Sequence, residues 1–340
     1  MSDRSKWEER GLSRGFDLEQ LDTDLFRSKF LITPRNARGT FGGQLIAHAL
    51  QAAIMTVDTD IDDKAVAAGK TRKKPHSLRS NFLAAGDSSH PIYYSVKRVR
   101  DGKSFAVRNV LAFQKGQNVY VATVSFHAPE EAGLMHQVDL PAGIPGPDEA
   151  VMEAEVLSRL LGARGEASEQ LQQNLRRKEA PLATVKYVDP FKSGNAGAPA
   201  WQQGVVGGAT SKPRYAWMKV ENIGTAHPGV KHRVRGDDAS AHRTAAAFLS
   251  DFTLAVAPIA PHGLPNADLR MLVSLDHTIY FHEDFRVDEW FLYEVHSTWA
   301  GHNRGLAVGR MYTQDGRLGM TVFQEILVRM KPGHVSRAKL

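Results

Sequence analysis

The chain has 340 residues, 42% of them apolar and 24% charged, which is enough for one large or two ordinary domains and a sizeable core. It contains no cysteine, which excludes a disulfide framework, a zinc–cysteine site and a cysteine nucleophile. The net charge of +6 gives a mildly basic surface suited to a polyanionic partner; no RNP, zinc-finger or helix-turn-helix pattern accompanies it, so nucleic acid is not expected.

The first residues, Met1 to Arg14, are charged and polar and lack the apolar core of a signal peptide. No uninterrupted apolar run reaches the roughly 18 residues a membrane span requires, so no span is expected. The first element is a helix over Gly43–Val57 (GQLIAHALQAAIMTV), apolar on nearly every side and therefore expected to be buried. Strands follow between His76 and Phe126: one opened by Ser77–Leu78–Arg79, then Ile92–Val96, then Ser104–Arg108, a Lys115–Gly116 turn, and Tyr120–Phe126. Ala142–Gly143–Ile144–Pro145–Gly146–Pro147 breaks the pattern. Glu149–Arg177 is charged and helix-prone and reads as a surface helix. Ser193–Ser211, rich in Gly, Ala and Ser, reads as a loop or insertion.

The pattern then repeats at an offset near 200. A second alanine-rich helix is expected over Ala239–Val256. Strands are expected from Ser274–Leu275–Asp276, over Phe291–Val295 and over Gly305–Gly309, with an Asp315–Gly316 turn leading into Met320–Val328. One buried helix wrapped by an antiparallel sheet, twice in tandem, is an α+β fold of the double hot-dog type, in which paired sheets protect each other's edges. The expected divisions are 15–130 for the first unit, 131–236 for a connector, 237–332 for the second unit and 333–340 for a tail. The last three residues, Ala338–Lys339–Leu340, resemble the Ser-Lys-Leu peroxisomal address.

Three residues stand out chemically. Asp251 has Ala247, Phe248, Leu254 and Ala255 as its helical neighbours; a lone carboxylate there is costly to bury unless paired or protonated, and its pKa should rise toward that of a general base. Gln324 interrupts a strand face that otherwise reads Met320, Val322, Ile326, Val328, so its amide needs a partner. Ser274 lies on the polar side of its strand with no G-x-S-x-G elbow around it, which suits orienting a water better than covalent attack. The competing readings are a partly exposed or backbone-capping carboxylate for Asp251, a structural hydrogen bond across the sheet for Gln324, and an ordinary strand serine for Ser274. His262, His277 and His282 lack the carboxylate spacing of a metal site, so none is expected. Arg38–Gly39–Thr40–Phe41–Gly42–Gly43–Gln44 precedes the first helix; its glycines either let a substrate approach the helix N-terminus, where free N–H groups can polarise a carbonyl, or simply make a tight turn.

The segments FGGQLIAHAL (41–50), RDGKSFAVRNV (100–110), SFHAPE (125–130), SDFTLAVAPIAPHG (250–263), SLDHTIYFHEDFRVDEWFLYEV (274–295) and YTQDGRLGMTVFQE (312–325) together resemble the type II acyl-CoA thioesterases, bacterial and peroxisomal. The resemblance runs from about Leu25 to Arg329. It implies a double hot-dog fold, hydrolysis of acyl-CoA to fatty acid and CoA, and an Asp, a Ser or Thr and a Gln that hold the attacking water. Carried over, these fall on Asp251, Ser274 and Gln324. The stretch 193–211 is longer than the family pattern. The first repeat, with no carboxylate over 43–57 and Phe126 where the second has Gln324, is expected to be non-catalytic.

The expected chemistry is one-step general-base hydrolysis with no cofactor and no metal. The expected partners are an acyl-CoA substrate, the peroxisomal import receptor acting on Ala338–Lys339–Leu340, and further copies of the chain in a homo-oligomer, with the peroxisomal matrix as its location. The alternatives are a hot-dog acyl-CoA hydratase and a non-catalytic acyl-CoA binding protein.

Overall fold

The computed structural model describes residues 12–156 apart from 35, 36, 38, 60, 62, 63, 65–67, 132 and 154, together with 183–188, 213–220, 223, 238–262 and 269–332. Most of the expected helix 149–177, the whole stretch 193–211 and the tail 333–340 lie outside the described residues.

The first repeat begins with two short strands, β1 (Leu18–Asp22) and β2 (Leu25–Ser28), followed by helix α1 (Gly42–Ile54). Strands β3 (Lys74–Phe82), β4 (Tyr93–Asp101), β5 (Phe105–Gln114) and β6 (Gln117–His127) then wrap the helix. Residues Gly43 through Ala53 of α1 are all buried, as an all-round apolar helix requires. Of the two amides in that run, Gln44 is satisfied: Oε1 accepts from Ile32 N, and Nε2 donates to the carbonyls of Gly15 and Phe30, whereas Gln51 Oε1 has no hydrogen-bond partner within the protein. Lys115 and Gly116 both adopt positive φ, so the β5–β6 hairpin closes on the two-residue turn that matches strand twist.

Between the repeats come the short strands β7 (Val151–Met152), β8 (Thr184–Tyr187) and β9 (Arg214–Lys219). The second repeat consists of α2 (Asp238–Ser250), β10 (Leu269–Ser274), β11 (Asp276–Phe281), β12 (Phe291–Gly301), β13 (Arg304–Thr313) and β14 (Leu318–Met330). The β12–β13 hairpin turns on His302 and Asn303, again both at positive φ. The stretch Ala239–His262 is long and apolar enough to cross a membrane by composition, but here it is the core helix α2 followed by two short 3-10 turns, with Ala245 through Leu249 fully buried.

All strands join one antiparallel sheet in the order β1-β2-β4-β5-β6-β3-β11-β14-β13-β12-β9-β8-β7, with β10 also paired to β14. The repeats meet at β3–β11, where Leu78 faces Ile279 and both are buried. β9 lies beside β12 as β2 lies beside β4, so each repeat uses a strand from outside its hairpins to extend its half. Asp284 fastens the halves across the seam, accepting from Lys74 Nζ at 2.5 Å and Arg243 Nε at 2.7 Å. This is the double hot-dog arrangement: two buried helices within one curved antiparallel sheet.

Candidate active site

The helices come together at the beginning of α1 and the end of α2, and two glycines allow it. A Cβ on Gly43 would lie 2.3 Å from the carbonyl oxygen of Phe248, so this glycine allows the close helix–helix approach. A Cβ on Gly42 would lie 2.6 Å from Asp251 Oδ2, so the start of α1 reaches Asp251 only because residue 42 has no side chain.

Asp251 differs from expectation in its setting. Helix α2 stops at Ser250, and Asp251 stands in the following turn instead of within a helix running to Val256. The cause is local. The Ser250 carbonyl accepts the Tyr293 hydroxyl at 2.6 Å, and the chain tightens so that Phe252 N bonds Leu249 O. Gly309 makes room for that phenol, since a Cβ there would meet the Tyr293 ring at 2.6 Å.

The carboxylate is buried as the apolar sequence around it predicts, at 9% exposure, and Oδ1 has no hydrogen-bond partner within the protein. Burial pushes its pKa up from 3.8 to about 7, while the Gln324 amide and the Gly43 backbone N–H, both directed at the carboxylate, act in the opposite direction.

Gln324 lies on the inward face of β14 with Met320, Val322 and Ile326, all fully buried. The amide that interrupts this face does find partners. Nε2 donates to Ser274 Oγ at 2.5 Å, and Oε1 lies 2.5 Å from His277 Nδ1. Ser274, half-buried, ends β10 opposite Ile326; the strand path breaks at Leu275, whose carbonyl is taken by Phe82 N of the first repeat. The structure thus brings Asp251, Ser274 and Gln324 together, with Gln324 as the link.

Sequence reasoning missed His277. Its ring is fully buried, bonded to Gln324 on one side and to Ser250 Oγ at 2.8 Å on the other, and burial lowers its pKa to about 4 despite the opposing effect of Gln324. The signal was present: along β11, His277 alternates with Ile279 and Phe281 and so belongs to the inward face. Among the described residues no three His, Asp or Glu side chains cluster as metal ligands. Beside the carboxylate, the rings of Phe41, Phe248 and Phe252 pack at centroid distances of 5.0–5.8 Å, with Phe252 41% exposed.

Among the described residues the first repeat shows no counterpart to this site. Met55 follows α1 where Asp251 follows α2, and Phe126, opposite Ala106, takes the place of Gln324, opposite Ala307.

Comparison with known proteins shows the class first. A solved structure, acyl-CoA thioesterase II TesB2 from Mycobacterium marinum, superposes with a TM-score of 0.67 at 28% identity, covering 95% of this chain and 99% of the other. Family profiles described as acyl-CoA thioesterase N-terminal domain and acyl-CoA thioesterase match residues 33–127 and 196–327. Acyl-coenzyme A thioesterase 8 of Rattus norvegicus is 33% identical over 328 residues, 95% of this chain and 90% of the relative. The peroxisomal acyl-coenzyme A thioester hydrolase 1 of Saccharomyces cerevisiae is 27% identical, over 94% of this chain and 95% of the relative. The chain belongs to the acyl-CoA thioesterase family, and its reaction is hydrolysis of an acyl-CoA thioester.

Proposed function

We propose that Asp251, Ser274 and Gln324 hold one water against the thioester carbonyl and that Asp251 acts as its general base. The water oxygen bonds to the acyl carbon as its proton passes to Asp251. The C–S bond then breaks, and CoA leaves as a thiolate that recovers a proton. Thiolate is a good leaving group, so a general base is enough and a covalent enzyme intermediate is not needed.

The observation that carries this reading is the buried carboxylate with one unpartnered oxygen, set beside an amide that also grips Ser274. A pKa near 7 keeps such a base able both to accept a proton and to be ionised at neutral pH. The Phe41, Phe248 and Phe252 rings offer an apolar wall for the acyl chain next to the reacting carbon.

The test is release of free thiol from acyl-CoA substrates of graded chain length, run beside Asp251→Ala. The wild-type chain releases thiol and the variant loses about 10²–10⁴-fold in rate. Wild-type turnover in the variant would refute the assignment, and tight binding of acyl-CoA without thiol release would favour a binding protein. A peroxisomal location belongs to the same reading, supported by the yeast relative's name and by Ala338–Lys339–Leu340. A fluorescent fusion that stays in the cytosol with those residues intact would count against it.

A further inference from the structure

With Asp251 ionised, the hydrogen-bond partners around Gln324 favour one arrangement of protons over its alternative. An ionised Asp251 offers only acceptors, so the amide must turn its NH2 edge toward it, and the same NH2 donates to Ser274 Oγ. Oε1 then faces His277 Nδ1 at 2.5 Å, and two acceptors cannot meet at that distance, so Nδ1 carries the hydrogen. A neutral imidazole has a single N–H. Nε2 is therefore a bare acceptor, and Ser250 Oγ, 2.8 Å away, donates to it. Ala247 O, 2.7 Å from the same hydroxyl, is the competing acceptor. Were Ser250 to donate there instead, His277 would carry its hydrogen on Nε2. Its bare Nδ1 would then face Oε1, and relieving that repulsion by an amide flip would point the carbonyl of Gln324 at the Asp251 carboxylate.

We propose that His277 is a positioning residue for hydrolysis: its Nδ1–H, set in that tautomer by Ser250, holds the Gln324 amide with its NH2 toward Asp251, Ser274 and the water between them. This rests on the general-base reading above. The depressed pKa agrees with it, because a neutral ring is the form that needs Ser250 to choose its tautomer. The geometry also links both ends of the chain of bonds to one turn. Ser250 directly precedes Asp251, and its own carbonyl is fixed by Tyr293.

The test uses the full chain, with acyl-CoA thiol release and thermal unfolding as readouts, for His277→Asn, His277→Gln and Ser250→Ala beside Asp251→Asn. The asparagine amide nitrogen falls near the place of Nδ1, and the glutamine nitrogen near that of Nε2. His277→Gln should lose about 100-fold in kcat with KM nearly unchanged, the usual scale for misplacing a reacting group by about 1 Å, whereas His277→Asn should stay within about ten-fold of wild type. Their melting temperatures should fall by similar amounts. Equal kcat in the two variants, whether both near wild type or both lost in step with stability, overturns the proposal. If neither folds, Ser250→Ala decides: a lowered kcat at constant KM supports it, and an unchanged kcat overturns it. Wild-type turnover in Asp251→Asn would instead sink the general-base reading itself. An inactive Asp251→Asn with indifferent His277 variants sinks only the present inference.

Discussion

Asp251→Asn should make the protein more stable as it makes it inactive, and the gain should depend on pH in a defined direction. Burial lifts the folded-state pKa from 3.8 to about 7, and the unfolded chain keeps the ordinary value. Between about pH 4 and pH 7 the folded chain therefore holds a proton that the unfolded chain has lost, so wild-type stability declines as pH rises through that window and stays lowered above it. At about 1.4 kcal/mol per pH unit, the full decline is roughly 4 kcal/mol. Asparagine does not titrate and shows none of it. Urea unfolding of both proteins at pH 4 and pH 8 measures the effect as a difference of differences. The packing of the new amide and the other titrating groups cancel to first order, and the advantage of the variant should grow by roughly 4 kcal/mol. An advantage that is flat with pH, or that shrinks toward pH 8, would refute a buried carboxylate ionised for function at the expense of stability.

The same pKa sets the activity profile: kcat/KM should fall about ten-fold per pH unit below about pH 7, as Asp251 takes up its proton, and a profile flat to pH 5 would contradict this. Gly42→Ala should place a methyl group 2.6 Å from Asp251 Oδ2 and lower kcat by about 100-fold, since the start of α1 or the carboxylate must move. Circular dichroism checks that the fold persists, and near-wild-type turnover would show that this approach is not needed.

Much of this architecture can be read from the sequence because its signals are local. The all-apolar run in α1, the alternation along β14 and the Lys115–Gly116 and Asp315–Gly316 turns each announce themselves within a few residues. Asp251 and Gln324 stand out for the same reason, as polar groups against apolar patterns. What the sequence conceals depends on contacts between distant segments. Helix α2 ends at Ser250 because Tyr293, 43 residues later, takes the helix carbonyl, and Gly309 makes space for that ring. The β12–β13 turn uses His302–Asn303, a pair without the glycine that usually marks such turns. Strands β8 and β9 come from a segment whose composition suggests only a connector, because their strand character is completed by pairing, β9 with β12 and β8 with β9. The alternation along β11 marks His277 as inward-facing, but its role is defined only by its position between Ser250 and Gln324.

The central claim, direct attack by a water that Asp251 deprotonates, is tested most directly by a single turnover in oxygen-18 water with enzyme in excess over acyl-CoA. The account predicts one heavy oxygen in the released acid and none in the peptide containing Asp251. Heavy oxygen in that peptide, with the acid unlabelled, would show that the carboxylate had itself been acylated and would contradict the account.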